Sequence, residues 1–208
     1  MQAKSREDGA MPNIDLDAKA WQEAGSKRFG QAVASLRVAQ GLTAVQLSAR
    51  TKELGYPITR STIARIEGNH RAGKVDLAEL IILAAALNTS PVNLVYPGPY
   101  QSALEIMPGR NAAGFNAAQW FSGIYSYLGN NSLGAAEDPE TQWRENTETL
   151  YQWRDLDELI ATRDEMDNPE HIAVLNRRIK AICERLGISV PTAEVDLRIE
   201  HPADDSHA

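Results

Sequence analysis

Apolar residues recur at spacings of three and four along most of the chain, the pattern typical of amphipathic helices. In the N-terminal half this pattern predicts five short helices, at 27–40, 43–54, 60–67, 76–87 and 90–95. Gly41, Pro57 and Gly68 stand between them, as residues that end helices or form turns. We therefore predict one compact five-helix unit that closes before Pro97.

The residues before several of these predicted helices are of types that cap helix N-termini. Thr43 and Thr59 precede the second and third helices, where a hydroxyl can accept a hydrogen bond from a free backbone N–H. Ser90 precedes Pro91, and proline is tolerated at the first helical position. The fourth helix, LAELIILAAAL, is nearly all apolar, which predicts burial on most of its sides.

Two longer helices are predicted in the C-terminal part, from Pro139 to about Asp167 and from Asn168 onward. The second has apolar residues at alternating spacings of three and four, as in a coiled-coil seam: Ile172, Leu175, Ile179, Ile182 and Leu186. The partner of this seam is either the preceding helix, giving a hairpin, or a second chain, giving a homodimer through 139–190. The sequence leaves both arrangements open.

The predicted fold class is therefore all-α, with a five-helix N-terminal domain and a second, mainly helical domain. The predicted segments are a flexible arm that could include a short helix at 1–26, the five-helix domain at 27–97, a linker at 98–138, a helical hairpin or self-association region at 139–190 and an acidic tail at 191–208. The linker contains an aromatic cluster of Phe115, Trp120, Phe121, Tyr125 and Tyr127. Since Arg110 is its one cation, hydrophobic packing is favoured over stacking on bases.

Charge is distributed unevenly along the chain. The net charge is -7, yet residues 27–74 hold nine Lys and Arg against two Glu, which gives this window +7 and the remainder -14. Such asymmetry is typical of a nucleic-acid-binding module joined to an acidic segment. A solvated basic face is the alternative interpretation.

Other classes of protein find little support in the sequence. The single cysteine, Cys183, excludes an internal disulfide and a Cys-rich zinc site. No apolar run reaches the roughly 18 residues of a membrane span, and the start lacks a signal-peptide pattern, so we expect a cytoplasmic protein without a membrane partner. The four histidines lack catalytic or metal-binding spacing and no Gly-rich phosphate loop follows a strand, so we expect no enzyme activity, cofactor or metal.

Three motifs occur in order: GLT before the second helix, TRSTIARIE in the third, and LAxALNxSPxxL in the last two. Together they resemble the lambda-repressor-like (Cro/XRE-type) helix-turn-helix family over about residues 27–96. The resemblance implies a five-helix fold whose third helix reads bases in the major groove of double-stranded DNA. The connection TKELGYPIT between the second and third helices is longer than the turn of that family.

The resemblance assigns roles to particular residues. Expected base-reading residues lie in the third helix: Arg60, Ser61, Thr62 and Arg65. Expected phosphate contacts come from helix starts and the turn after the third helix: Thr43, Gln46, Thr59, His70 and Arg71. Gln46 is included because Ala44 stands where the family usually has a phosphate-binding glutamine. Arg37 and Glu67 match a structural ion pair between the first and third helices.

Two functions remain open. The first is a sequence-specific, nucleoid-associated transcriptional regulator, most simply a repressor, of which a phage or prophage immunity repressor is one form. The second is an antitoxin or adaptor whose acidic helical C-terminal half binds a partner protein, with DNA binding for autoregulation. A further helix-turn-helix at 182–200 is disfavoured because Glu194, Asp196 and Glu200 would face phosphates.

Overall fold

The computed structural model describes residues 16–126 and 138–190, which form two compact, mostly helical units. The elements are α1 (Leu16–Ala39), α2 (Ala44–Glu53), α3 (Arg60–Glu67), α4 (Leu77–Ala86), α5 (Pro91–Val95), β1 (Ala103–Met107), β2 (Arg110–Ala113), α6 (Gly114–Phe121), α7 (Pro139–Asp164) and α8 (Pro169–Leu186). In these ranges no helix combines the length and apolar character needed to span a membrane.

Helices α1 to α5 surround one hydrophobic core. Its most deeply buried members come from all five helices: Val33, Leu47, Ile63, Leu83, Leu87 and Leu94. The predicted extents of α2 to α5 are confirmed to within about two residues. The prediction that α4 is buried on most sides is wrong, because Leu77 and Ile81 are 68% and 50% exposed while Leu80 and Leu83 face the core.

The first helix differs from its prediction. The predicted helix start at Lys27 is wrong, because α1 runs without a break from Leu16. The short helix that the predicted arm could include is, within the described residues, the first part of α1. Ser26 is buried, and its hydroxyl donates a hydrogen bond to the side-chain oxygen of Asn69 at 2.6 Å. The helix therefore continues because the turn after α3 packs against it.

Gly30 allows α1 and α3 to approach closely. A Cβ at this position would overlap the carbonyl oxygen of Ile66, near the end of α3. At Gly25, one and a half turns earlier on α1, a Cβ would make an ordinary 3.9 Å contact with the guanidinium of Arg28. The two glycines therefore differ in what surrounds them, although both are helical.

We expect Gly30→Ala to lower the free energy of unfolding by about 1 to 3 kcal/mol, since the helices must separate to admit the methyl group. Gly25→Ala is the matched control and is expected to raise it by about 0.5 to 1 kcal/mol through helix propensity. Urea unfolding followed by circular dichroism measures both. Equal stability of the two variants would show that α1 and α3 do not pack this closely.

Residues 98–126 are not the predicted linker. Strands β1 and β2 form an antiparallel hairpin, with Leu104 opposite Ala112, and α6 follows. Tyr96, Ile106 and Ala117 are buried together, so the compact unit continues past the predicted boundary at Pro97. The all-α prediction omitted this small sheet, because the two strands are too short to give a periodic signal.

The aromatic side chains of this region pack against one another, as predicted. Tyr96 and Phe121 meet edge to face at 5.7 Å between ring centroids. Phe115 contacts Tyr125 in the same manner at 6.3 Å. Tyr127 lies outside the described residues.

The C-terminal unit is a helical hairpin. Helices α7 and α8 pack on each other through Leu156, Leu159, Ile179, Ile182 and Cys183, all of which are buried. Asp138 and Asn168 cap the two helix starts through their side chains. The hairpin alternative is thus confirmed within the chain, whereas the homodimer stays a prediction. The acidic tail at 191–208, with most of the disfavoured second helix-turn-helix, lies outside the described residues.

Candidate nucleic-acid interface

Helix α3 has one buried and one exposed face. Ile63 is fully buried and Ile66 is 4% exposed, so these two side chains attach the helix to the core. Arg60, Ser61 and Arg65 are exposed on the other side. Helical spacing alone predicts this division, because Arg65 lies four residues after Ser61 on the same face, while Ile63 and Ile66 turn inward. Thr62, also expected to read bases, is half-buried.

Three hydroxyls gather at the first turn of α3. The hydroxyl of Thr59 accepts a hydrogen bond from the backbone N–H of Thr62 at 3.1 Å, which makes Thr59 the N-cap. The same oxygen lies 2.9 Å from the hydroxyl of Ser61 and 3.0 Å from that of Thr62. This cluster is exposed and holds the helix start in place.

Arg60 and Arg65 differ from Arg37 and Arg71 of the same unit in their surroundings. Within the described ranges, neither has a carboxylate in ion-pair distance. Arg37 and Arg71, by contrast, are each bound to a glutamate. Both guanidinium groups are exposed on α3.

Arg37 and Glu67 form the ion pair that the resemblance implied. Nε and Nη2 of Arg37 donate to the two carboxylate oxygens of Glu67 at 2.7 and 2.8 Å, and Nη1 donates to the carbonyl of Leu42 at 2.8 Å. The hydrogen bond from Glu67 raises the pKa of Arg37 above its ordinary value. The pair joins the end of α1 to the end of α3 and so fixes the direction of α3.

Hydroxyls of α2 hold the connection to α3, a feature that the sequence analysis missed. The buried Thr51 hydroxyl accepts the backbone N–H of Ile58 at 3.0 Å and donates to the carbonyl of Ser48 at 2.8 Å. The hydroxyl of Ser48 donates to the carbonyl of Ile58 at 2.7 Å. Ser48 and Thr51 lie three positions apart on α2, and this spacing was the one feature of the sequence that could have indicated these hydrogen bonds. These bonds, with the buried Ile58 side chain, fix the longer connection before α3.

The start of α2 is a capping box formed by two of the predicted phosphate contacts. The hydroxyl of Thr43 accepts the backbone N–H of Gln46 at 3.2 Å, and the Gln46 amide oxygen accepts the backbone N–H of Thr43 at 2.8 Å. The amide orientation is assigned from these contacts. It leaves the exposed amide nitrogen of Gln46 as a donor.

The turn after α3 fits the prediction in part. His70 is exposed, as a phosphate contact requires. Arg71 instead binds the carboxylate of Glu79 on α4, and its side chain is 24% exposed. This ion pair gives Arg71 a structural role that the sequence did not predict, and its expected phosphate contact stays a prediction.

Comparisons with known proteins identify no relative of this chain. No family model matches the sequence, and no significant match was found among the curated proteins or the solved structures. Among residues 16–126 and 138–190, no three His, Cys, Asp or Glu side chains cluster in a way that could hold a metal ion. The interpretation of this surface therefore depends on its geometry and on the motifs at 27–96.

Proposed function

We propose that this protein is a sequence-specific double-stranded DNA-binding regulator of transcription, most simply a repressor that occupies a promoter. The observation that carries the proposal is the exposed face of α3, where Arg60 and Arg65 lack carboxylate partners in the described structure while the opposite face is anchored in the core. An exposed helix with unpaired arginines is suited to enter a polyanionic groove.

The dimensions and chemistry of α3 suit the major groove. An α-helix with its side chains is about 10 to 12 Å across, close to the width of that groove. Each guanidinium can donate two hydrogen bonds to O6 and N7 of a guanine. Ser61 can donate or accept at either kind of base pair. In this proposal Arg60 and Arg65 read bases, and the hydroxyls of Ser61 and Thr62 make further base contacts near the helix start.

Phosphate contacts are proposed for groups beside α3. The first backbone N–H groups of α2 and α3 follow Thr43 and Thr59, and helix starts favour anions. The Gln46 amide nitrogen and His70 add side-chain donors that are exposed. These contacts position the protein on DNA and carry no sequence information.

The affinity of the full chain for duplex DNA is expected to fall with salt, because bound phosphates release counterions. The slope of log affinity against log salt is expected to be about -0.9 for each phosphate contacted. Fluorescence anisotropy at several salt concentrations measures it, and selection from a random DNA pool supplies the preferred site. Binding that is unaffected by salt would contradict the proposal.

We also propose that the hairpin of α7 and α8 mediates a homodimer. Leu150, Trp153 and Val174 remain 37–46% exposed on its surface. We expect sedimentation to show a dimer and the selected DNA site to be a palindrome, with half-sites about one helical turn apart. A monomer with an asymmetric site would contradict this. A small protein that co-purifies in equal amount would instead favour the antitoxin or adaptor function.

A further inference from the structure

A largely apolar groove lies in the N-terminal unit, between α1, the turn before α4, the end of α5, β1 and α6. It has a volume of about 430 Å³. Its principal apolar walls are Trp21, Phe29, Leu80, Tyr96, Ile106 and Phe121. This volume lies within the range of about 300 to 1,000 Å³ that is common for small-molecule sites.

One cation, Arg28 of α1, lines this groove. Its Nε donates to the backbone carbonyl of Val95 at 2.9 Å, and its guanidinium carbon lies 5.5 Å from the ring centroid of Tyr96. These two contacts fix the guanidinium, and within residues 16–126 and 138–190 they engage only one of its three nitrogens in a hydrogen bond. Partial burial lowers the pKa of Arg28 below its ordinary value.

Among the residues that the structure describes, the charge of Arg28 has no counter-charge. No Asp or Glu lines the groove, and no carboxylate in the described ranges lies within ion-pair distance of Arg28. Arg37 and Arg71 are also shielded arginines of this unit, and each forms an ion pair with a glutamate. A partly buried cation without an anion is costly, and a bound anion would remove that cost.

Tyr96 supplies a second unsatisfied polar group. This residue is only 6% exposed, and within the part of the chain that the structure describes its hydroxyl has no hydrogen-bond partner. Buried hydroxyls are nearly always hydrogen-bonded, so an unpaired one beside a groove indicates a missing partner.

We propose that this groove binds a small monocarboxylate with an aromatic or branched apolar body, a ligand beyond the proposed DNA-binding function. Because Nε of Arg28 is occupied by Val95, the carboxylate is bound by the terminal nitrogens Nη1 and Nη2. A single cation matches a single negative charge, which favours a carboxylate over a dianionic phosphate. The apolar body occupies the space beside Trp21 and Phe121.

The test compares two probes with the same apolar body, one with a charged and one with a neutral head group, by calorimetry on the full chain: 3-phenylpropionate and 3-phenylpropionamide. We expect the carboxylate to bind about tenfold more tightly, since it alone brings a negative charge to the Arg28 guanidinium. Arg28→Met is expected to abolish this preference. Lys27→Met removes an exposed neighbouring cation that does not line the groove, and is expected to leave the preference intact.

Two further variants keep the test decisive if Arg28→Met fails to fold. Arg28→Lys keeps the charge without the paired donors and is expected to weaken the carboxylate severalfold. Phe121→Ala, at a residue 48% exposed, is expected to weaken both probes alike by removing an apolar wall. Equal affinity for the two probes, absence of binding, or binding that is indifferent to Arg28 and Phe121 would overturn the proposal.

Discussion

Arg60→Ala and Arg65→Ala are each expected to weaken binding to the selected DNA site by about 1 to 3 kcal/mol, and to change binding to random DNA much less. The reason is geometric, because both side chains lie on the exposed face of α3 and form no ion pair with described residues. Each variant should relax base preference at one or two positions. Competition assays with the selected site and with random duplexes measure the difference.

Lys180→Ala serves as the matched control for this experiment. It removes one exposed cation from α8, which is part of the other compact unit, and should change neither affinity nor base preference. All variants must show the same thermal stability as the original chain, since a folding defect would imitate lost binding. If Arg60 and Arg65 variants lose selected and random DNA equally, α3 is not the reading helix.

Arg37→Met is expected to lower the free energy of unfolding by about 3 kcal/mol or more. The side chains of Arg37 and Glu67 are only 16% and 15% exposed, so the substitution leaves a shielded carboxylate without its partner. It also removes the donor to the Leu42 carbonyl. Chemical denaturation followed by circular dichroism measures the loss.

Two companion variants test whether the loss of stability comes from an unpaired charge at this shielded position. Arg37→Met combined with Glu67→Leu should recover much of the loss, because no buried charge remains unpaired. Arg144→Met breaks an exposed pair with Glu140 on α7, and should cost less than about 1 kcal/mol. An Arg37→Met loss as small as that of Arg144→Met would show that the buried pair does not anchor α3.

Several features of the N-terminal unit could be predicted because they depend on neighbours in sequence. Thr43 and Thr59 cap α2 and α3 through backbone groups only three residues away. The inward direction of Ile63 and Ile66 follows from helical spacing alone. The hairpin seam at Ile179 and the cap at Asn168 are local in the same sense, so the α7–α8 region was also foreseeable.

The candidate site was predictable only where the exposure of a side chain follows from the spacing of apolar residues along its helix. Arg60 and Arg65 are exposed as expected, since they lie on α3 away from its isoleucines. Arg71 stands in an equally basic segment, yet Glu79 binds it across eight residues. Whether a cation is free or paired depends on which carboxylate the fold brings to it, and charge along the chain does not contain that information.

The sequence by itself determined where α2 to α5 begin and end, and which sides of α3 face inward and outward. Only the tertiary structure decided that α1 continues through Ser26, that β1, β2 and α6 cover Tyr96, and that Arg28 lacks a carboxylate partner among the described residues. The first features arise from capping and helical spacing over a few residues, whereas the second depend on contacts between residues distant in sequence. Such contacts leave no periodic pattern, because each is fixed by how the completed helices pack.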